Sequence, residues 1–382
     1  MRLAALRNPR FAAVYLACER RYPQSWVNTF DRIEAGDHEQ VVFCHDRATG
    51  LKAIIAIHST ALGPSLGGTR FYPYPSEDDA LVDVLRLAEG MTYKAAVAGL
   101  DQGGGKAVII GDPGLVRTDE LMLAYGRFID SLSGRYITAE DVGTTQADMD
   151  LISRVTRYVT GTSEALGGSG DPSAATAYGL VWAMKALLFL SSGADDLNGT
   201  HVVVAGVGKV GSYLVRHLVE EGARVTIADV KDQAVERVRA LYDVAAVPAA
   251  DAHRTPCDIF SPCGLGGVLT PAAIPELRCW AVAGAANNQL ASSQCGQQLA
   301  DAGVLYAPDF VVNSGGIINI ASERSGQPYD REQAFANVRR IYDTTLAVFD
   351  AAKRDGLTPV EAAVVLGRRR LEAGVHQIRT FP

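Results

Sequence analysis

Cysteine is scarce and unpatterned. The six residues Cys18, Cys44, Cys257, Cys263, Cys279 and Cys295 include no C-x-x-C pair, which argues against a zinc knuckle or a disulfide framework and predicts reduced thiols in a cytoplasmic protein with no metal site. A basic excess is missing too. The 36 Lys and Arg face 43 Asp and Glu, a formal charge of -7, so the overall electrostatics favour neither nucleic acid nor an anionic membrane as partner. No run reaches the roughly 18 apolar residues of a membrane span. The opening MRLAALRNPRFAAVYLACERRYP is broken by Arg2, Arg7 and Arg10 and lacks the continuous apolar core of a secretory signal; residues 1–26 read as an N-terminal extension, a surface helix or an oligomer contact. Internal repeats and low-complexity tracts are absent. What is present is ordinary globular composition, 382 residues with 48% apolar and 21% charged, enough for two domains of about 150 residues each. Small molecules and further copies of the chain are the expected partners.

Along the chain, QVVFCHD and LKAIIAIH, joined by RATG, read as two strands around a turn. Ser76 has Asp79 three residues on and then Leu81, Val84, Leu85 and Ala88 at helical spacing, which predicts a capped helix ending near Gly90. The unalternated run KAVII after Gly103, Gly104 and Gly105 suits a strand buried on both faces, and RYITA repeats the pattern after a helix over 115–132. The Gly- and Ser-rich stretch 161–170 is the expected hinge. A long helix over 173–190 follows, then HVVVA, a glycine turn with a helix, and ARVTIAD, which together make a βαβ unit. Buried runs at CDIF, WAVA and GVLYA extend the alternation, and helices over 332–353 and 359–372 close the chain.

Gly206-Val207-Gly208-Lys209-Val210-Gly211 lies between a strand and a helix, the context in which G-x-G-x-x-G carries weight. The first glycine serves the tight turn, the second the approach of a pyrophosphate, and the third the packing of helix on strand, with phosphate at the helix N-terminus. Asp229 ends the following strand, where a carboxylate accepts from an adenosine ribose and repels a 2'-phosphate. NAD is therefore expected over NADP, a preference that Lys231 softens. Such a site names no reaction.

The chemistry must come from other residues. Lys106 stands between three glycines and a buried strand, and Lys94 lies in GMTYKAAVAGL. A lysine desolvated at a strand mouth can act as a base near neutral pH; a solvated lysine is the plain alternative. Asp141, just after RYITA, could meet Lys106 where parallel strand ends share a crevice, or could merely cap a helix.

LGPSLGGTRFYPY, GMTYKAAVAGLDQGGGKAVIIGDP, ITAEDVGT, GVGKVG, AGAANNQLA and APDFVVNSGG, in this order, resemble the leucine/valine/phenylalanine dehydrogenase branch of the amino-acid dehydrogenases, most closely the valine-type enzymes of actinobacteria. The resemblance implies two α/β domains, a mostly parallel N-terminal one and a Rossmann-type NAD domain with a cleft between them. The first would span 27–160 plus 338–382 and the second 161–337. It also implies reversible, NAD-dependent oxidative deamination of an L-amino acid to a 2-oxo acid and ammonium by a homo-oligomer. Lys106 would be the catalytic base, its pKa depressed by burial and by Lys94, with Asp141 as its acidic partner. Lys94 would bind the substrate carboxylate. Asn288, beside Asn287, would lie near nicotinamide and substrate, and Thr176 near the carboxamide. Gly67 and Gly68 would let backbone approach the substrate, or simply serve a turn. Leu66, Ala139, Ile317 and Ile320 would wall an apolar side-chain pocket, the isoleucines favouring valine-sized substrates by about 1 to 3 kcal/mol per methylene. A phenylalanine-, tryptophan- or glutamate-type dehydrogenase and a non-catalytic NAD sensor are the alternatives.

Overall fold

The structure, a computed structural model, describes residues 28–323 and 328–375. The expected extension 1–26 lies outside the described residues. Two compact units form. One holds the described residues up to Asp171, Ile320–Arg331 and those from Leu366 onward; the other holds Pro172–Asn319 and Glu332–Val365.

The first unit is built on a five-stranded sheet of β1 (Gln40–Asp46), β2 (Leu51–Ser59), β3 (Ser65–Tyr72), β4 (Gly103–Ile110) and β5 (Tyr136–Glu140), in the order β1-β2-β4-β3-β5. Pairs β1/β2 and β2/β4 are antiparallel and β3/β4 and β3/β5 parallel, so β2 alone runs against the other four. Helix α1 (Thr29–Gly36) precedes the sheet and α2 (Glu77–Val97) covers one face. There Ile54, Ala56 and Val108 pack on Ala80, Leu81, Val84, Leu85 and Ala88. The opposite face carries Ile55, Ile57, Ala107 and Ile109 under Leu121, Met122, Tyr125, Met149 and Ile152. Those residues come from α4 (Asp119–Ser131) and α5 (Gln146–Ile152), which follow the short α3 (Pro113–Val116). Each large side chain buried this way contributes about 1.5–3 kcal/mol.

Three local expectations change. The Ser76 cap forms as read, its hydroxyl accepting from Asp79 N at 3.0 Å, but the helix runs past Gly90 to Val97 and stops only before Gly99, whose φ is +76°. Burial of Thr92, Tyr93, Ala95 and Ala96 outweighs the roughly 1 kcal/mol that a mid-helix glycine costs. The helix expected over 115–132 is two, because Thr118 caps the second through Leu121 N. Gly67 and Gly68, for which a turn was one reading, lie in the buried strand β3.

The second unit carries a six-stranded sheet of β6 (His201–Ala205), β7 (Arg224–Ala228), β8 (Ala245–Ala246), β9 (Ile259–Pro262), β10 (Ala281–Val282) and β11 (Leu305–Tyr306). Every pairing is parallel. The order β11-β10-β9-β6-β7-β8 is the doubly wound arrangement, whose direction of winding reverses between β6 and β9. Its helices are α6 (Ser173–Ser192), α7 (Lys209–Glu220), α8 (Asp232–Arg239), α9 (Gln294–Asp301), α10 (Asp309–Val312), most of α11 (Gly315–Ser322), α12 (Arg331–Arg339), α13 (Ile341–Asp355) and the first part of α14 (Pro359–Val375). Although the sequence showed no uninterrupted apolar run of membrane length, α6 is long and apolar enough to cross a membrane. It is a core helix, with Leu180, Val181, Met184 and Leu187 almost fully buried.

The units divide the chain at different points from the expected 160/161 and 337/338. Residues 161–171 stay with the first unit because the Glu323 carboxylate accepts from Gly161 N at 3.0 Å and Ser169 N at 2.9 Å. The segment Glu332–Val365 belongs to the second because α13 packs on α6. A Cβ on Gly179 would stand only 2.5 Å from Ile341 Cδ1.

Candidate active site

Lys106 lies inside β4 rather than at its mouth, since the triple glycine is itself strand. The glycines admit neighbouring backbone. A Cβ on Gly103 would strike Ser59 O, one on Gly104 would strike Thr92 N, and one on Gly105 would come 2.9 Å from Ser65 Oγ. Thr92 belongs to α2, so Gly104 is what brings the Lys94-bearing helix down onto β4. Lys94 itself is half-buried near the end of α2.

Lys106 is 5% exposed, and its Nζ lies 3.0 Å from Asp141 Oδ1. Between them runs β3, paired to β4 on one side and β5 on the other. The ladder Leu66↔Gly104 and Thr69↔Ala107 brackets Gly68 opposite Lys106, and Gly68 pairs with Ala139 on β5. A Cβ at Gly68 would meet Glu140 O at 2.5 Å and Asp141 Cβ at 2.9 Å. The missing side chain at Gly68 is thus what lets the lysine and the carboxylate meet across an intervening strand. Gly67 likewise has Gly105 O where a Cβ would stand. Both glycines serve strand packing rather than a turn.

Asp141 does not cap a helix: Thr145 caps α5 in a reciprocal box with Asp148. Its second oxygen, Oδ2, accepts from Arg70 Nε at 3.2 Å. Arg70 NH1 continues to Asp83 Oδ2 at 2.8 Å, and Asp83 also receives Tyr74 OH at 2.6 Å and Arg86 NH2 at 3.2 Å. Burial pushes the Asp141 carboxyl up, but the charges of Lys106 and Arg70 overcome that and hold it below the ordinary carboxylate range. The sequence reading missed Arg70 and Asp83. Arg70 stands two residues after Gly68 on the same strand face, a signal that strand alternation could have given had SLGGTRFY been read as a strand. Leu66, two residues before Gly68 on that face, is fully buried, and Ala139 is 4% exposed.

In the second unit the three glycines have three distinct surroundings. Gly206 has φ +104° and backbone of Gly264 2.5 Å from a Cβ position, so the turn needs glycine. Gly211 packs on Gly206 O. A Cβ on Gly208 would meet nothing within 4 Å, leaving open space at the first turn of α7, where a pyrophosphate fits onto the helix N-terminus. Val207 is buried while Gly208 and Lys209 are exposed and Val210 half-buried. Asp229 stands at the end of β7, its Oδ2 accepting from Val207 N at 2.8 Å and its Oδ1 from Lys231 N at 2.9 Å. The carboxylate therefore braces the glycine turn. Arg237 NH2 donates to Val207 O at 3.1 Å, a cation beside this turn that the sequence reading did not anticipate. The donor set and the open cradle fit a dinucleotide.

Asn288 is exposed with φ +53°, a left-handed conformation that non-glycine residues seldom adopt and that concentrates at functional sites. Its neighbours hold it there. Gly267 N donates to Asn288 O at 2.7 Å, Gln289 N donates to Asp309 Oδ2 at 3.0 Å, and Asn313 Nδ2 donates to Asn287 Oδ1 at 2.8 Å. Thr176, in the first turns of α6, donates its hydroxyl to Pro172 O at 3.1 Å. Ile317 and Ile320 lie three apart on α11, buried to 5% and 9% exposure.

A glycine turn at the reversal point of a parallel sheet, together with a buried lysine–carboxylate pair on a separate α/β unit, defines the class as a dinucleotide-linked α/β oxidoreductase. Residues 38–158 match the dimerisation domain of the Glu/Leu/Phe/Val dehydrogenases, and 167–237 with 227–377 match the Glutamate/Leucine/Phenylalanine/Valine dehydrogenase domain. The chain belongs to this family and is an amino-acid dehydrogenase. It is 51% identical to a valine dehydrogenase of Streptomyces virginiae over 352 residues, which cover 90% of this chain and 97% of the relative. With a leucine dehydrogenase of Geobacillus stearothermophilus it shares 50% identity over 346 residues, 91% of this chain and 94% of the relative. A solved L-tryptophan dehydrogenase from Nostoc punctiforme superposes with a TM-score of 0.79 at 44% identity, covering 91% of this chain and 99% of that one.

Proposed function

We propose that this chain catalyses the reversible, NAD-dependent oxidative deamination of branched-chain and small aliphatic L-amino acids to 2-oxo acids and ammonium, as a cytoplasmic homo-oligomer. The similarity to valine and leucine dehydrogenases supports the substrate class. The match to a dimerisation domain supports assembly. NAD, when bound, supplies the two-electron acceptor; the open cradle at Gly208 suits its pyrophosphate, and the Asp229 carboxylate disfavours a 2'-phosphate.

The single observation that carries the reading is the 3.0 Å contact between the buried Lys106 and Asp141. In its free-amine form Lys106 takes a proton from water as the water oxygen bonds to the imine carbon of the oxidised substrate. Asp141 Oδ1 stabilises the Lys106 ammonium that results; Lys106 returns the proton to the substrate nitrogen and then takes the hydroxyl proton as the C–N bond breaks, so that the carbonyl forms and ammonia leaves, to be released as ammonium. Lys94 binds the substrate carboxylate. Asn288 contacts substrate and cofactor, with Thr176 on the carboxamide. Leu66, Ala139, Ile317 and Ile320 are the apolar residues assigned to the substrate side chain, with no cation among them to bind a distal carboxylate. The domain division carried by this reading keeps catalysis with the first unit and NAD with the second.

The test is a steady-state NADH assay across valine, leucine, isoleucine, 2-aminobutyrate, phenylalanine, tryptophan and glutamate. The aliphatic substrates should give the highest kcat/KM; a maximum at phenylalanine, tryptophan or glutamate overturns the pocket assignment. Lys106→Ala should abolish turnover while NADH affinity stays within about twofold. Equal loss of both would make the lysine structural.

A further inference from the structure

Two cysteines that the proposed reaction does not use face each other at the amino ends of neighbouring strands. The β9/β10 ladder pairs Ile259 with Ala281 and Phe260 with Val282; carried back two positions, the same register sets Cys257 opposite Cys279. The backbone bonds there keep the strands together. Cys257 N donates to Arg278 O at 3.0 Å, and Ala281 N donates to Asp258 O at 3.2 Å. Adjacent strands lie about 4.8 Å apart, inside the roughly 4.4–6.8 Å window between Cα atoms that a disulfide spans. In-register residues of paired strands project to the same side of a sheet, and each thiol is the neighbour that most perturbs the other's acidity. Both are free and half-buried, within reach of a small oxidant, as is Cys263, whereas Cys44 and Cys295 are buried.

We propose that Cys257 and Cys279 form a reversible thiol–disulfide couple that reacts with peroxide. Their mutual influence makes the two unequal. The neighbouring Cys257 thiol favours the Cys279 thiolate against its burial, backbone N–H groups of Phe260 and Ala281 add to this, and the Cys279 thiol together with burial pushes Cys257 up. Cys279 is therefore the nucleophile. Its sulfur takes one oxygen from hydrogen peroxide, breaking the O–O bond and releasing hydroxide, to give a sulfenic acid. The Cys257 sulfur then attacks that sulfur, the S–O bond breaks, and water leaves as the disulfide forms. Overall two thiols lose two electrons and two protons, and one peroxide becomes two waters. The couple lies at the amino ends of its strands, away from the glycine turn that follows the carboxyl end of β6.

Full-length enzyme is treated with hydrogen peroxide, denatured without reductant, titrated for thiols and digested for peptide mapping by mass spectrometry. The titre should fall from six cysteines to four, with a 257–279 cross-linked peptide that dithiothreitol releases. Saturating NADH should leave the cross-link yield within about twofold. In Cys257→Ser the cross-link should vanish and Cys279 should advance to sulfinic acid, since no thiol is left to resolve it. An unchanged titre, a cross-link to a different cysteine, or sulfinic acid at Cys279 of the unmutated enzyme without the cross-link overturns the proposal.

Discussion

Replacing Gly68 with alanine adds one methyl group at the place where β3 separates the lysine from its carboxylate. That carbon would stand 2.9 Å from Asp141 Cβ and 2.5 Å from Glu140 O. Carbon–carbon contacts settle at about 3.5–4.0 Å, so the Asp141 side chain must retreat by about 0.5–1 Å, and Glu140 O, being backbone, takes the end of β5 with it. The Lys106–Asp141 contact of 3.0 Å would then open beyond hydrogen-bonding distance. Overpacking of this kind costs about 1–3 kcal/mol of stability, and a misplacement of about 1 Å at reacting groups can cost about 10²-fold in rate. We expect Gly68→Ala to lower kcat for valine about 100-fold while NADH affinity, measured by fluorescence titration, stays within about twofold, because the glycine turn is in the other unit. A melting temperature lowered by several degrees should accompany it. A folded Gly68→Ala enzyme with kcat within twofold of the parent would refute the claim that this gap positions the catalytic pair.

Arg70→Met should act through pH. The Lys106 and Arg70 charges, working against burial, hold the Asp141 carboxyl low, so removing Arg70 raises it and the acidic limb of the kcat/KM profile moves to higher pH, with activity at alkaline pH least affected; an unmoved limb would separate Arg70 from the site. Arg70→Lys should restore part of the profile. For the cofactor, Asp229→Asn keeps an acceptor for Val207 N and removes the charge facing a 2'-phosphate, so the NADP-to-NAD ratio of kcat/KM should rise about tenfold, in line with the roughly 1–4 kcal/mol between close charges in water or at a protein surface; an unchanged ratio would assign Asp229 to bracing the turn alone.

Residues close in sequence were legible where one local constraint governed them. The Ser76 cap and the βαβ unit around Gly206–Gly211 follow from hydrogen-bonding chemistry and strand–turn–helix spacing that neighbours in the chain supply. Gly90 misled because its local penalty is small beside the burial that carries α2 on to Val97. The strand β3 was hidden because its glycines answer to strands β4 and β5, which periodicity in one segment does not register.

The amino-acid sequence by itself determined the alternation of buried strands and helices and the dinucleotide turn, since each is written in residue type and short-range spacing, and it offered Lys106 and Asp141 as candidates. Only the tertiary structure decided how those two meet. Their contact crosses a third strand and is braced by Arg70 and Asp83, and strand order, register and the space left by an absent Cβ are properties of chain segments brought together, not of any one stretch of sequence.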